Sequence, residues 1–416
     1  MRRAWHCLGT VLAALGLAAL AGCASGPSRQ NVSPTEAIYS TKALPEETLL
    51  DVGVHIFETE AISTEAAAEQ GTNQEIREAE ARYIPYHLKN TLQQTGQWGT
   101  VRVYPARAEE VDVSVSGKLL ESNGEILKLQ IKVVDATGRP WFHKEYDAEA
   151  TEESYRVIVH GTDRDPFQDL YNQVANDMLA FRQQLSAKDL ITIRQVAELK
   201  FARGVAPDAF GGYLVQDKGG GFQVNRLPAD GDPMFERVTR IHGREYMFID
   251  TVNLHYATLY DDMREPYWQW RKSYLAELDQ KRALERKVWE RRALGLLAIV
   301  GAVVISSNNN GGSSAAQAAR DLLVIGGYEA FRSSGQIADD AKVHASAIKE
   351  LGVSFRSDVA PIVDEVDGRT LKLSGSVEAQ YAEWRKTLRE LHAVETGGEP
   401  IAATPSPASP EPGIGR

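Results

Sequence analysis

Acid and base side chains come close together twice in this sequence. His160, Asp163 and Asp165 fall within the run His160-Gly161-Thr162-Asp163-Arg164-Asp165-Pro166, where an imidazole and carboxylates could hold a divalent cation. The spacing matches no recognised metal site, and Asp165, directly before Pro166, is expected to cap the helix that follows. His242 and Glu245 could pair for proton transfer. Three residues apart on a helix, they are expected instead to be exposed or salt-bridged. Gly219-Gly220-Gly221 lacks the Lys-Ser/Thr that follows a phosphate-cradling loop, so it is expected to be a flexible loop. No Gly-x-Ser-x-Gly elbow occurs. The chain is therefore expected to be no enzyme, with no catalytic residue, no metal site and no cofactor; the alternative is a periplasmic metal-dependent hydrolase built on His160 and Asp163.

The remaining reactive side chains are two cysteines, Cys7 and Cys23. Cys23 ends the sequence Leu20-Ala21-Gly22-Cys23, which closes an apolar run from Leu8 to Leu20 preceded by Arg2 and Arg3. That run is too short to span a bilayer comfortably and has the charged and apolar regions of an export signal, placing a signal peptide at 1–22. The stretch resembles the lipobox of bacterial lipoprotein precursors. The resemblance implies that the Cys23 thiol takes a diacylglyceryl group, that the peptide before it is removed and that the new amine is acylated. At about 0.8 kcal/mol per buried methylene, two or three acyl chains give a stable membrane anchor. In Gram-negative members of that family an Asp after the cysteine retains the protein in the inner membrane. Ala24 and Ser25 stand here, which implies the outer membrane, with the chain facing the periplasm. Cys7 leaves with the signal and Cys23 is consumed by lipid, so neither a disulfide nor a thiolate site is expected.

The formal charge is −11 and becomes two units more negative once Arg2 and Arg3 are removed. A chain this acidic is a poor partner for nucleic acid or for anionic lipid at large. Its expected partners are the membrane, reached through the lipid anchor, and envelope proteins or further copies of itself. At 416 residues the chain is long enough for two or three domains.

The elements that would position these residues divide the chain unevenly. Residues 23–47 carry the lipidated cysteine and a Ser/Pro/Thr/Ala-rich tether with a reach on the order of 25 Å. An α/β domain is expected over 48–156. It begins with a strand near Asp51–Phe57 and continues into a helix from Asn73 to Thr95, which places Ile76, Ile84, Leu88 and Leu92 on one face, with a restart at Pro85. Strands follow near 101–104, 111–119, 125–133 and 141–146, the middle two joined at Ser122-Asn123-Gly124. Residues 157–292 read as a helical region with one amphipathic helix after Asp165-Pro166 and two long helices, 234–263 and 266–292, separated at Glu265-Pro266. Tyr267, Trp270 and Tyr274 are expected to be core. Residues 293–335 read as an apolar helical hairpin: thirteen apolar residues, Ala293–Ile305, give roughly 20 Å of helix against a hydrocarbon core of about 30 Å. Gly295, Gly301, Gly326 and Gly327 would let its two arms approach closely. A small α/β piece at 336–395 and a disordered tail at 396–416 complete an α+β chain.

Residues 48–150 end on Asp135, Thr137, Gly138, Trp141 and Tyr146, within "VVDATGRPWFHKEY". With the preceding order of one helix and then strands, this stretch resembles the small α/β domain of the curli-secretion lipoprotein family and the amino-terminal domain of the Tol system's periplasmic propeller protein. The resemblance implies a sheet with one packed helix in an envelope protein. No propeller repeat follows, and no pair of long amphipathic strands suited to a transmembrane barrel is evident. The functional expectation is a lipid-anchored, non-enzymatic assembly, transport or envelope-integrity factor.

Overall fold

The computed structural model describes residues 34–60, 72–305, 346–350, 362–373 and 376–395, apart from gaps of one or two residues at 43, 73, 107, 109, 157, 160–161, 347–348 and 367–368; within 157–163 and in parts of the chain beyond residue 280, side chains also lie outside the description. Leu20–Cys23, His160, residues 306–345 and the tail at 396–416 are outside it. The fold is α+β.

The sheet begins at β1 (Val52–His55), is extended by the two-residue β2 (Glu58–Thr59), and continues with β3 (Val101–Tyr104), β4 (Val113–Ser122), β5 (Ile126–Asp135) and β6 (Pro140–Glu149). In space the order is β3-β1-β4-β5-β6, with β2 also pairing with β4. β1 runs parallel to both neighbours, while β4, β5 and β6 form an antiparallel meander. Buried and part-exposed residues alternate along β4 and β5, as a sheet with one covered face requires.

Helix α1 (Gln74–Gln94) covers the sheet with Ile76, Ile84, Leu88 and Leu92, all buried. The sequence predicts a restart at Pro85, but the helix is continuous. Proline removes the N–H that would bond the carbonyl four residues back, that of Ala81, and the Phe57 N–H takes that carbonyl instead at 2.9 Å. Gly96, with φ of 64°, ends the helix in the left-handed region.

The Asp135–Trp141 turn shows why those residue types recur together. The Asp135 carboxylate accepts hydrogen bonds from the Thr137 N–H and Oγ1, the Arg139 N–H and the buried Trp141 Nε1. Gly138 supplies φ of 86°. Trp141 then packs between Trp98 and Phe181.

The two-residue strands β7 (Ile158–Val159) and β8 (Thr162–Asp163) come next. Helices α2 (Gln168–Arg182) and α3 (Ala187–Val205) follow, the latter opened by a Ser186/Asp189 capping box. The short α4 (Pro207–Phe210) leads to the hairpin of β9 (Leu214–Gln216) and β10 (Phe222–Val224). The triple glycine is the turn of this hairpin, and Asp217 Oδ1 holds it through the Gly219 and Gly221 N–H groups. The loop expected from the sequence is thus a hairpin turn braced by Asp217.

One helix, α5 (Pro233–Ile305), replaces the two long helices expected from the sequence. Pro266 lies inside it, and the carbonyl left without its usual partner belongs to exposed Asp262, within reach of water. At 73 residues it is about 110 Å long, and the apolar run Ala293–Ile305 is its last stretch. α5 passes along the sheet edge at β3, where Asn253 donates to the Val103 carbonyl and accepts from the Val103 N–H. This side chain occupies backbone groups that an edge strand otherwise leaves open. The hairpin β11 (Ile362–Val366) and β12 (Arg369–Leu373) precedes α6 (Val377–Glu395), and buried Trp384 of α6 stacks on Phe248 of α5. One apolar core joins residues of the sheet, α1, α2, α3 and α5 across position 156. No described helix is long and apolar enough to cross a membrane.

Candidate functional site

The concentration of chemistry in this fold is a buried polar cluster where α1 crosses α5. On α1, Glu80, Tyr83 and His87 recur at three and four residues, on the same face as the apolar stripe. On α5, Tyr260, Tyr267 and Arg271 recur at seven and four residues, again on one face. The apolar neighbours bring the two faces together, and the polar groups must then find partners inside.

Arg271 is 1% exposed and donates from Nη2 to Asp165 Oδ2 at 2.7 Å, with the Asp165 side chain 6% exposed. The guanidinium also lies 4.0 Å from the Tyr267 ring centroid and 5.3 Å from that of Phe167. Its Nε and Nη1 have no hydrogen-bond partner among the described residues. Burial works against the Asp165 carboxylate, but Arg271, His87 and the Phe167 N–H outweigh it and hold its pKa below the usual range. The expected helix cap is thereby corrected: Phe167 occupies the cap position, and Asp165 serves as the counter-ion of Arg271. A carboxylate outside the first helical turn can still accept the Phe167 N–H, and the buried cation claims its second oxygen.

Glu80 Oε1 accepts from Ser122 Oγ at 2.5 Å and Tyr267 Oη at 2.6 Å. Burial raises its pKa against the opposing pull of Arg77, Ser122, Tyr267 and Arg271. His87 bonds Tyr260 Oη at 2.7 Å and Gln168 Oε1 at 2.9 Å. Burial lowers its pKa against the opposing pull of Asp165 and Gln168. The β4–β5 turn docks beside this cluster. A Cβ on Gly124 would stand 1.9 Å from the Arg271 carbonyl oxygen, so only glycine allows the approach.

A second buried cluster joins α5 to α6. Arg385 donates to Glu245 Oε1 at 2.9 Å and to Glu110 Oε1 at 2.6 Å, and Tyr381 Oη donates to the same Glu245 oxygen. His242 stacks on Phe201 with ring centroids 3.9 Å apart and on Tyr246 at 4.3 Å. Burial, with the nearby cations Arg385 and Arg102, lowers its pKa to about 3. Glu245 is thus salt-bridged, one of the two outcomes its spacing suggested, and His242 sits in an aromatic stack.

Of the sequence-derived candidates, Asp165 joins the first cluster, while His242 and Glu245 lie near Arg385 in the second. The side chain of Asp163 and all of His160 and Cys23 lie outside the described residues. Among the described residues no group of three or more His, Cys, Asp or Glu side chains is placed to hold a metal ion. Asp165 pairs with Arg271 and Glu245 with Arg385, while Glu80 and His87 bond hydroxyls and an amide, and these contacts suit the clusters to locking α1 and α6 onto α5. The sequence did carry a signal for the first cluster: Glu80 interrupts the stripe between Ile76 and Ile84, and Arg271 falls within Tyr267, Trp270 and Tyr274.

No family model matches the chain, and no curated protein matches it. Among solved structures it is similar to a PelC dodecamer from Paraburkholderia phytofirmans, a single-residue variant, at 16% identity. The match covers 36% of this chain and 94% of that one, with a TM-score of 0.19.

Proposed function

We propose that this chain is a lipid-anchored, non-enzymatic protein of the cell envelope, held at the outer membrane through Cys23 and facing the periplasm. It works through protein–protein contacts in assembly, transport or envelope integrity. The observation that carries this proposal is Leu20-Ala21-Gly22-Cys23 behind an apolar run with Arg2 and Arg3 ahead of it. The likeness of residues 48–150 to small α/β domains of envelope proteins supports it. The spread of buried ionisable groups also fits, because Glu80, Asp165, Glu245, Arg271 and Arg385 spend their bonds joining elements of the fold to α5 and to one another. The sequence of the last stretch of α5 suits such contacts, since Ala293–Ile305 is wholly apolar and follows Arg291 and Arg292. Held near a bilayer at high effective concentration, this stretch would serve as an oligomeric contact.

Cell fractionation tests the anchor. Wild-type protein should sediment with outer membranes, and Cys23→Ser should appear in the soluble periplasmic fraction. Soluble wild-type protein would overturn the proposal. In-cell crosslinking then identifies the partners.

A further inference from the structure

The outward face of α5 carries a pattern that neither its packing nor the lipid anchor explains. Its inward residues, among them Val238, Phe248, Val252, Leu259 and Met263, are buried against the body. On the opposite side Met247 and Leu254 are 62% and 68% exposed, seven residues apart and so on the same line of the helix. Extending that line by alternating steps of three and four gives Arg240 and Arg244 on one side, Thr251 between, and Thr258, Asp261 and Glu265 on the other. This is the spacing of a helix–helix seam, with heptad positions held over about 38 Å of helix. Along these eight positions the charge is antisymmetric: basic toward the amino terminus, acidic toward the carboxy terminus and uncharged in the middle, while the neighbouring Asp250 is paired with Arg102 of its own chain.

We propose that this face binds the same face of a second copy, with the two α5 helices antiparallel about a two-fold axis between Val252 and Asn253. In that register Arg240 meets Glu265 of the partner subunit and Met247 meets Thr258 of the partner subunit. The arrangement is closed, because each pair recurs on the other side of the axis. Thr251 falls opposite Leu254 of the partner subunit, and Arg244, half-buried and already engaged within its own chain, lies at the position facing Asp261 of the partner subunit. Gly243 has nothing within 4 Å of where a Cβ would stand, so the seam is open to close approach at its basic end. A parallel pairing would set Arg240 and Arg244 against their own copies, and the acidic residues likewise, so the charges select the antiparallel mode. The proposal does not depend on lipidation.

The test uses the full chain carrying Cys23→Ser, so that lipid does not drive association. By sedimentation equilibrium it should dimerise. Arg240→Glu and Glu265→Arg should each raise the dimer dissociation constant at least about tenfold, and the double reversal should return it to within about threefold of the parent value. Single cysteines report the geometry once Cys7→Ser is added to Cys23→Ser, since Cys7 and Cys23 are the chain's two cysteines. Thr251→Cys should crosslink to itself with a short reagent, and Arg240→Cys only when mixed with Glu265→Cys. The proposal is overturned by a monomer at about 100 µM. It is equally overturned by a dimer indifferent to both reversals, which would place the contact elsewhere, such as residues 293–331, or by Arg240→Cys crosslinking to itself, which would mean a parallel pair.

Discussion

Removing Arg271 alone should destabilise the fold far more than removing it together with its counter-ion. The pair is 1% and 6% exposed with an N–O distance of 2.7 Å, so Arg271→Met leaves a buried carboxylate without its hydrogen-bonded cation. Breaking a buried pair from one side costs about 3–5 kcal/mol, whereas replacing both charges is often close to neutral. Arg271→Met should therefore lose about 3–5 kcal/mol, part of it from the contacts with Tyr267 and Phe167. Asp165→Asn/Arg271→Met should lie within about 2 kcal/mol of wild type, since Asn keeps an oxygen for the Phe167 N–H. Urea unfolding followed by tryptophan fluorescence measures both, with Trp270 beside the site as a reporter. A single variant losing less than about 1 kcal/mol, or a double variant losing as much as the single, would show that the two charges are not coupled as described.

His242 is neutral in the fold, with its pKa lowered from 6.5 to about 3. The unfolded chain thus binds the extra proton first, and stability from this group falls as pH drops from about 6.5 toward 3. Relative to wild type, His242→Phe, which keeps the stack on Phe201, should gain about 2 kcal/mol between pH 7.5 and pH 5. The difference must be read against wild type because Asp112, raised to about 7 by burial, contributes the opposite slope between 3.8 and 7. Asp135→Ala should destabilise the chain by about 1–3 kcal/mol through the orphaned Trp141 N–H alone, seen as a shift in the urea midpoint. Gly124→Ala should exceed the roughly 1–3 kcal/mol of ordinary overpacking, because the clash is with backbone of α5, and hydrogen exchange should quicken around Arg271–Leu275.

The sheet is legible because alternation in β4 and β5 and the Ser122-Asn123-Gly124 turn are local signals. The stripe of Ile76, Ile84, Leu88 and Leu92 places α1 within a residue of its ends. The prolines mislead. Pro85 and Pro266 look like breaks because sequence shows the missing N–H but not the distant Phe57 N–H that takes one freed carbonyl, nor the exposure of the other. Asp165 reads as a cap for the same reason, since its counter-ion lies 106 residues away in sequence. Helix α3 goes unread although Ser186-x-x-Asp189 before Leu190 and Ile193 is a capping signature. The buried clusters need tertiary pairing: Glu80 and Arg271 stand out in their stripes, but only the crossing of α1 and α5 explains them.

The most direct measurement is the mass of the amino terminus of the protein recovered from cell membranes. A chain beginning at Cys23 and carrying a diacylglyceryl group and an acylated amine is expected, with both modifications absent from Cys23→Ser. A mature chain with an unmodified Cys23 thiol, or a fatty-acid label that persists in Cys23→Ser, would contradict the account.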